Sequence, residues 1–434
     1  MKLKMIHDKM FTTAFLCALL LGILLFDVTG YCENTDADNN GTYETAVALP
    51  MKRAVSDSLN ATDDTDIFKI VVERNSYVMF LFTASFRSPN FKIENENRNQ
   101  IATRYVNGSL NEPETYKYIA QMAAGTYYIK ATTSGSTGGG DYSIYVTDEQ
   151  PTAITIDQTE LQLEDSTSSK AELKVVTIPQ DSIQPEIEWQ SGDVYVARVD
   201  KGTVTANGIG YTAVTAAAKE FPNLQATCTV TVKPRQVANV NQDTQKTDRK
   251  KLAVTCSMGY SAARMPDGFN FYIFDKNAGK YVLKGSSEKN EFTFKGLKQE
   301  TGYKVKVSAY INTPAGKVEG ALSNEKMLYT APKQLKATKI TGIKKKNLTT
   351  YQGGTVRIFN LKWKKVKGAT SYKVYGQQKS GSKFTLMETT QKPNADMYAG
   401  VGYTYKVYVV PVKTKHGVST EGKKSPKYTI DMRE

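Results

Sequence analysis

Apolar and polar residues alternate with a period of two along most of the chain after residue 30. Segments such as "DIFKIVVE", "GTYYIKATT", "AELKVVTI" and "YKVKVSAY" have apolar side chains at every second position and end near Gly, Asn, Asp or Pro. This alternation predicts half-buried β-strands, because successive side chains of a strand point to opposite faces. Many short strands separated by turn residues predict an all-β protein of tandem β-sandwich modules.

The first thirty residues have a different pattern, a basic start followed by a largely apolar run. Lys2, Lys4 and Lys9 precede the run over residues 11–26, and small residues follow at 28–30. This order is typical of a secretory signal peptide, predicted over residues 1–30. An uncleaved membrane anchor is the alternative, although the run is short for a span. No later segment is apolar enough to span a membrane, so we expect a secreted, extracellular protein, either free or associated with the cell envelope.

Length and cysteine content indicate several domains that are not held by disulfides. The roughly 400 residues after the signal peptide exceed one core, so about three to five domains are expected. Only Cys32, Cys228 and Cys256 follow the predicted cleavage site. Cys228 and Cys256 alternate with apolar neighbours, so both are predicted to point into sheet cores as small apolar side chains.

The first module is predicted over residues 36–148. It opens with "DADNNGTYETAVAL", continues through "DSLNATDDTDIFKIVVE" and closes with "AAGTYYIKATTSGSTGGGDYSIYVT". These stretches resemble the bacterial pre-peptidase C-terminal domain. The resemblance implies a small jelly-roll-like β-sandwich of the kind that often follows secreted proteases. The residues that carry it are Asn40, Ala46, Asp64, Asp66, Phe68 and Gly125-Thr-Tyr-Tyr.

The second module is predicted over residues 151–234. Its stretch "IEWQSGDVYVARVDKGTVTANGIGYTAVTA" resembles the group 2 bacterial immunoglobulin-like domain. We expect Trp189 to fill the core, and Gly202 and Gly208 to lie at turns that need a permissive backbone.

The last two modules are predicted over residues 236–331 and 332–431. "LKQETGYKVKVSAY" in the third module, and "LKWKKVKGATSYKVYG" with "GYTYKVYVVPV" in the fourth, resemble fibronectin type III domains. The resemblance implies a tyrosine corner at Tyr303 and at Tyr405, where the hydroxyl bonds to upstream backbone. Alternation predicts that Trp363 points inward, with Lys362 and Lys364 together on the other face.

Charge is divided unevenly along the chain. Residues 235–434 hold 38 Lys+Arg against 14 Asp+Glu, whereas residues 1–234 hold 19 against 29. The two halves therefore have different expected partners. Lysines concentrate in "ITGIKKKNL" and "LKWKKVKG", at Lys344, Lys345, Lys346, Lys362, Lys364, Lys365 and Lys367.

Two interpretations of these lysines stay open. They form either a solvated face that maintains solubility and blunts sheet edges, or a polyanion-binding surface. The expected polyanion is an anionic cell-wall polymer, a glycan or a matrix protein. Nucleic acid is not expected as a partner, because the protein is secreted and arginine is scarce among these charges.

The opening stretch "DADNNG" has the D-x-D-x-N-G spacing of a calcium loop. It does not continue as an EF-hand, because Val47 occupies the position of the bidentate glutamate. The aspartates of "NATDDTDIF" precede the first long strand, and the two stretches together offer enough oxygens for a hard cation. In calcium-binding relatives of the first module the ligands come from these two places. That match implies Asp36, Asp38, Asn40, Asp64 and Asp66, with Asp63 as a substitute; a polar N-terminal tail is the alternative.

The sequence offers little for catalysis. Its two histidines are His7, in the predicted signal peptide, and His416, in the turn "KTKHGVST", where we expect a solvated side chain. No G-x-S-x-G elbow, zinc-ligand spacing or P-loop occurs. We therefore expect no enzyme but a bacterial surface or matrix adhesion protein with a calcium-stabilised first module and basic fibronectin-type modules. The alternative is a carbohydrate- or collagen-binding accessory protein to secreted hydrolases or proteases.

Overall fold

The computed structural model describes residues 40–60, 64–109, 112–133, 139–259, 264–351, 353–378 and 382–433. Within these ranges the secondary structure consists of strands and turns without a helix, so the predicted all-β fold is confirmed. The same described residues accordingly contain no helix long and apolar enough to cross a membrane. The predicted signal peptide at residues 1–30 lies outside them.

The first sandwich has two sheets, in the orders β1-β3-β8-β5-β6 and β2-β9-β4-β7. Alternation on β3 directs Phe68 and Ile70 inward, where they meet Phe82 of β4 and Phe91 of β5 in one core. The rings of Phe82 and Phe91 stack with their centroids 4.7 Å apart. The strands are β1 (Val47–Ala48), β2 (Val55–Leu59), β3 (Thr65–Val72), β4 (Ser76–Ala84), β5 (Arg87–Asn95), β6 (Gln100–Asn107), β7 (Glu114–Met122), β8 (Gly125–Thr132) and β9 (Gly140–Thr147).

The second sandwich contains sheets in the orders β11-β18-β17-β14, β12-β16-β15 and β10-β13. Val196 and Val204 are buried, and Val199 is half-buried. The strands are β10 (Ala153–Ile156), β11 (Glu160–Glu164), β12 (Lys170–Glu172), β13 (Val175–Ile178), β14 (Ile187–Ser191), β15 (Ala197–Asp200), β16 (Thr203–Ala206), β17 (Gly210–Ala218) and β18 (Gln225–Lys233).

Two details of the second sandwich differ from the sequence expectation. Trp189 is half-buried rather than a fully enclosed core residue. Gly202 has the expected positive φ of 83°, and a Cβ there would lie 2.6 Å from the carbonyl oxygen of Leu173. Gly208 does not have a positive φ, whereas Gly210 has a φ of 145°. The turn that needs glycine is therefore at Gly202.

The third sandwich has sheets in the orders β19-β20-β23 and β22-β21-β24-β25, with β26 also paired to β24. Its core contains Phe271, Val305 and Val307, and the Phe271 ring stacks on Phe292 at 5.1 Å. Strand β19 ends at Gln242, and residues 243–251 connect it to β20. The strands are β19 (Asn239–Gln242), β20 (Leu252–Ser257), β21 (Gly268–Asp275), β22 (Lys280–Ser287), β23 (Glu291–Phe294), β24 (Gly302–Thr313), β25 (Gly316–Glu319) and β26 (Lys326–Tyr329).

The fourth sandwich has sheets in the orders β27-β28-β31 and β30-β29-β32-β33, with β34 also paired to β32. Trp363 points inward as predicted and packs edge-on against Tyr372, with ring centroids 5.4 Å apart. The strands are β27 (Ile340–Tyr351), β28 (Gly354–Trp363), β29 (Ser371–Gln377), β30 (Thr385–Thr390), β31 (Asn394–Gly400), β32 (Thr404–Lys415), β33 (Val418–Glu421) and β34 (Tyr428–Asp431).

Both tyrosine corners implied by the resemblance are formed. The backbone N–H of Lys298 donates to the Tyr303 hydroxyl at 2.8 Å. The backbone N–H of Gly400 donates to the Tyr405 hydroxyl at 2.9 Å. Each bond satisfies a backbone N–H group upstream of its tyrosine, in the loop before β24 at Lys298 and at the end of β31 at Gly400.

The chain divides into two compact units. The first contains the described parts of Met1–Leu161, Lys170–Thr205 and Thr212–Val230, and the second contains Gln162–Ser169, Ala206–Tyr211 and the described part of Thr231–Glu434. Within the first unit, the outward face of β4 packs against the second sandwich. Met79 of β4 and Ile183 of the second sandwich are both fully buried there.

Candidate functional site

Asn40 and Gly41, the described residues of the opening stretch, lie beside the first long strand. The backbone N–H of Ile67 on β3 donates to the carbonyl oxygen of Asn40 at 3.0 Å. Gly41 passes so close to β3 that a Cβ on it would lie 3.3 Å from the Thr65 carbonyl oxygen. The end of "DADNNG" therefore adjoins the end of "NATDDTDIF".

Tyr43 anchors the residues that follow. Its hydroxyl donates to Glu94 Oε2 at 2.5 Å, and its ring packs edge-on against Tyr128 at 5.2 Å. The Arg98 guanidinium lies over the Tyr43 ring, 4.3 Å from the centroid. The hydrogen bond to Glu94 raises the pKa of Tyr43 to about 12, so this tyrosine stays neutral and donating.

Two polar side chains are buried at this end of the sandwich. Asp66 is fully buried, and the Tyr142 hydroxyl donates to its Oδ2 at 2.6 Å. The Asn40 side chain is only 1% exposed, and neither its amide nitrogen nor its amide oxygen has a hydrogen-bond partner among the described residues. Leaving a buried amide unsatisfied is costly, and an amide oxygen is a ligand that calcium accepts. Asn40 and Asp66 thus fit a hard cation.

The other predicted ligands are less informative. Asp64 is exposed, and its Oδ1 accepts a hydrogen bond from the Thr65 hydroxyl at 3.0 Å. Asp36, Asp38 and Asp63 lie outside the described residues. Among the residues that are described, no three His, Cys, Asp or Glu side chains come together as a metal-binding group. The calcium site stays a prediction.

The predicted basic surface spans two antiparallel strands of the fourth sandwich. Lys344 of β27 pairs in register with Asn360 of β28, so Lys344 and Lys362 lie on the same outward face as diagonal neighbours. Lys346 Nζ lies 2.8 Å from Asp396 Oδ2 of β31, and this hydrogen bond holds the pKa of Asp396 below its usual value.

The remaining predicted lysines are spread more widely. Lys345 pairs in register with the core residue Phe359, so it belongs to the other side of the strand. Lys364, Lys365 and Lys367 follow β28 in the segment before β29. All seven lysines are exposed. The structure therefore brings Lys344 and Lys362 together on one face, and the other five lysines are exposed at other positions of the sandwich.

Several tyrosines of the first sandwich serve its packing. Tyr127, Tyr142 and Tyr145 are all buried. Tyr105 of β6 is instead 63% exposed and shares the outward face of that strand with Ile101, which is 40% exposed.

His416 is exposed, but it is not simply a solvated turn residue. It has a φ of 50° in the hairpin between β32 and β33. Its imidazole stacks on the Tyr329 ring with the centroids 3.8 Å apart. This stacking indicates a packing role between the third and fourth sandwiches.

Sequence reasoning missed a second basic feature, on the third sandwich. Arg249, Lys250 and Lys251 lie in the turn between β19 and β20. Lys298 lies in the loop between β23 and β24, and the two loops enclose a groove. The sequence shows the run Arg249-Lys250-Lys251, but it does not show that this run lies close to Lys298.

Comparison with known proteins gives a family match for one part of the chain. Residues 151–230 match the bacterial Ig-like domain (group 2) family, which confirms that predicted resemblance. No curated protein matches the chain.

Solved structures with similar parts include the chicken CNTN1 FN1–FN3 domains. That match has 13% identity and a TM-score of 0.37, and covers 66% of this chain and all of that chain. The pre-peptidase C-terminal domain of collagenase from Bacillus anthracis matches with 19% identity and a TM-score of 0.20, covering 24% of this chain and 94% of that one. A two-domain fibronectin type III segment from chicken tenascin matches with 13% identity and a TM-score of 0.19, covering 45% of this chain and 98% of that one.

Proposed function

We propose that this protein is an extracellular, non-catalytic adhesion or binding protein of a bacterium, whose basic C-terminal half holds an anionic envelope polymer or glycan. The observation that carries the proposal is the charge of the fourth sandwich. Residues 332–431 hold 21 Lys+Arg against 4 Asp+Glu. Exposed charges of one sign act collectively on a polyanion and weaken steeply with salt.

The seven predicted lysines supply a testable surface. In the test, the mature chain (residues 31–434) is passed over purified cell walls, with and without teichoic acid, at low and moderate salt. The variant K344E/K362E/K364E is expected to lose retention. The matched control K392E/K406E/K423E changes the same charge at exposed positions of the same sandwich. An equal loss of retention in both variants would mean that net charge alone governs binding, and would contradict a localised binding surface.

We propose further that calcium stabilises the first sandwich. Asp36, Asp38, Asn40, Asp63, Asp64 and Asp66 would hold the ion. A bound divalent cation would neutralise the repulsion between these carboxylates and give the buried Asn40 amide a partner. The role is structural, since it would fasten the opening stretch to the start of β3.

Calcium binding is tested by thermal unfolding in calcium and in EDTA. A ligand that binds only the folded state stabilises by about 2.7 kcal/mol at one hundred times its Kd. The variants Asn40→Ala and Asp66→Asn are expected to lose the calcium-dependent rise in Tm. Glu73→Gln, at an exposed acid of the same sandwich, should keep it. A wild-type Tm that is the same in calcium and in EDTA would contradict the site.

A second candidate function, binding of collagen or carbohydrate, rests on Tyr105 and Ile101. Together they present an exposed aromatic and aliphatic surface on β6, and an exposed tyrosine supplies a large contact area with a polar tip. Tyr105→Ala should reduce retention on insoluble collagen or chitin if this face binds. Unchanged retention on both would remove the candidate.

A further inference from the structure

The third sandwich has a groove at one end, formed by two loops that are distant in sequence. One is the turn between β19 and β20, and the other is the loop between β23 and β24. The groove has a volume of about 850 Å³. The residues that line it include Arg249, Lys250, Lys251, Leu297, Lys298 and Gln299.

Acidic side chains near the groove are already engaged. Asp248 Oδ1 accepts the backbone N–H groups of Lys250 and Lys251 at 2.7 and 2.8 Å, as the cap of its own turn. Its Oδ2 lies 3.8 Å from Lys251 Nζ. Arg249, Lys250 and Lys298 are exposed and have no ion pair with any described residue. The groove therefore has an excess of positive charge that its own fold does not neutralise.

Backbone hydrogen bonds hold the two loops that carry the cations of the groove. The N–H of Leu297 donates to the Lys250 carbonyl oxygen at 3.0 Å, which ties one loop to the other. The N–H of Lys298 is held by the Tyr303 hydroxyl, and the N–H of Ala331 donates to the Asp248 carbonyl oxygen at 3.0 Å. A site whose loops are held in advance loses less entropy when a ligand binds.

Positive charge continues onto the hairpin tip of the fourth sandwich, within the same compact unit. Glu300, from the loop that lines the groove, accepts a hydrogen bond from Lys413 Nζ at 2.7 Å and lies 3.6 Å from Lys415 Nζ. Lys415 is about half exposed. The single Glu300 carboxylate thus faces two lysines, and the net charge of this group stays positive.

We propose that this groove binds a linear polymer with regularly spaced phosphate or sulfate groups. A single small anion would gain little from exposed lysines in water, whereas a polymer contacts several cations at once and releases its counterions. The groove presents an arginine fork beside lysines, and both suit oxyanions. The inference rests on the proposed polyanion function but assigns it to residues separate from the seven lysines of the fourth sandwich.

The test uses the mature chain and two probes, purified teichoic acid for phosphodiesters and heparin for sulfates. Binding constants are measured over a series of salt concentrations for wild type, for R249E/K250E/K298E, and for the matched control K276E/K280E/K289E on exposed positions of the same sandwich. By analogy with phosphate contacts in nucleic-acid complexes, each lost contact lowers the slope of log K against log salt by about 1. The groove variant should therefore lose about 2 to 3 units of slope, and the control should keep its slope. Thermal unfolding checks that all variants are folded.

The outcomes separate this inference from the proposed function. If wild type binds and the groove variant matches the control, the groove proposal is wrong while the polyanion function stands. If wild type binds neither probe at low salt, both are wrong. If only the groove variant loses slope, the groove is the site, and the probe that binds tighter identifies phosphate or sulfate as the preferred group.

Discussion

The contact between the first and second sandwiches makes a sharp prediction about stability. Ile183 is fully buried between them, against Met79 and Tyr145, with Phe221 packed at the edge of the same cluster. Its backbone N–H donates to the Glu149 carbonyl oxygen at 2.8 Å, a bond that a side-chain truncation leaves intact. Ile183→Ala therefore removes only the apolar contact.

The expected cost follows from full burial. Truncation of a buried isoleucine to alanine costs about 2–5 kcal/mol, through lost transfer free energy and the cavity left behind. Ile183→Val should cost about 0.5–1.5 kcal/mol. For a cooperative unit of about 200 residues, each kcal/mol shifts Tm by about 2–4 °C. Ile183→Ala should thus lower the Tm of the transition that contains this contact by roughly 4–20 °C.

The assay is calorimetry of the mature chain, with Val194→Ala as the control. Val194 lies in the same sandwich but is 50% exposed, so its truncation should stay within about 0.5 kcal/mol of wild type. The expected order of stability is wild type and Val194→Ala, then Ile183→Val, then Ile183→Ala. If Ile183→Ala unfolds together with the control, the two sandwiches do not share this contact.

Three further predictions concern single groups. Tyr303→Phe removes the hydroxyl that accepts the Lys298 N–H and should cost about 1 kcal/mol, measured by urea unfolding; an unchanged midpoint would contradict the tyrosine corner. Burial raises the pKa of the Cys256 thiol to about 12, so it should resist thiol reagents at pH 8 until the protein unfolds, and rapid native labelling would refute this. The hydrogen bond from Lys413 lowers the pKa of Glu300, so the pair stabilises the folded protein fully above the unfolded pKa of a glutamate, near 4.3, and loses this effect as the pH falls through the lower folded pKa. The Tm difference between wild type and Glu300→Gln should therefore vanish at a pH below the folded pKa. A Tm difference that does not change with pH would refute this prediction.

Features set by strand periodicity could be predicted from the sequence. The corners of Tyr303 and Tyr405 are formed as well, but these were implied by the resemblance to fibronectin type III domains. Trp363 points inward because alternation along its strand places it on the core face. Cys228 and Cys256 are buried free thiols for the same reason. These predictions needed only neighbours within one or two strands.

Features that join distant segments could not be predicted in the same way. Arg249 and Lys298 line one groove because two loops meet at the end of a sandwich, and Ile183 is buried because a second domain covers β4. The unsatisfied amide of Asn40 is likewise invisible in the spacing of "DADNNG", since it depends on the depth at which that stretch packs. Periodicity specifies a strand face but not which other face or loop covers it.

The cations of the C-terminal half differ in how far their charge is compensated. Two strand lysines of the fourth sandwich form ion pairs with acids of the same sheet, each across one intervening strand. Lys346 of β27 pairs with Asp396 of β31, and Lys373 of β29 lies 2.8 Å from Glu421 of β33.

Arg249 and Lys298 belong to loops, and neither has an ion pair with a described residue, although Lys251 of the same turn as Arg249 lies 3.8 Å from Asp248. A polyanion must displace an existing partner to bind Lys346 but not to bind these two. Reversing one loop cation should therefore reduce polymer affinity more than reversing one paired strand lysine. The comparison of Lys298→Glu with Lys346→Glu, in equal salt and on the same probe, measures this difference, and an equal loss would show that net charge alone governs binding.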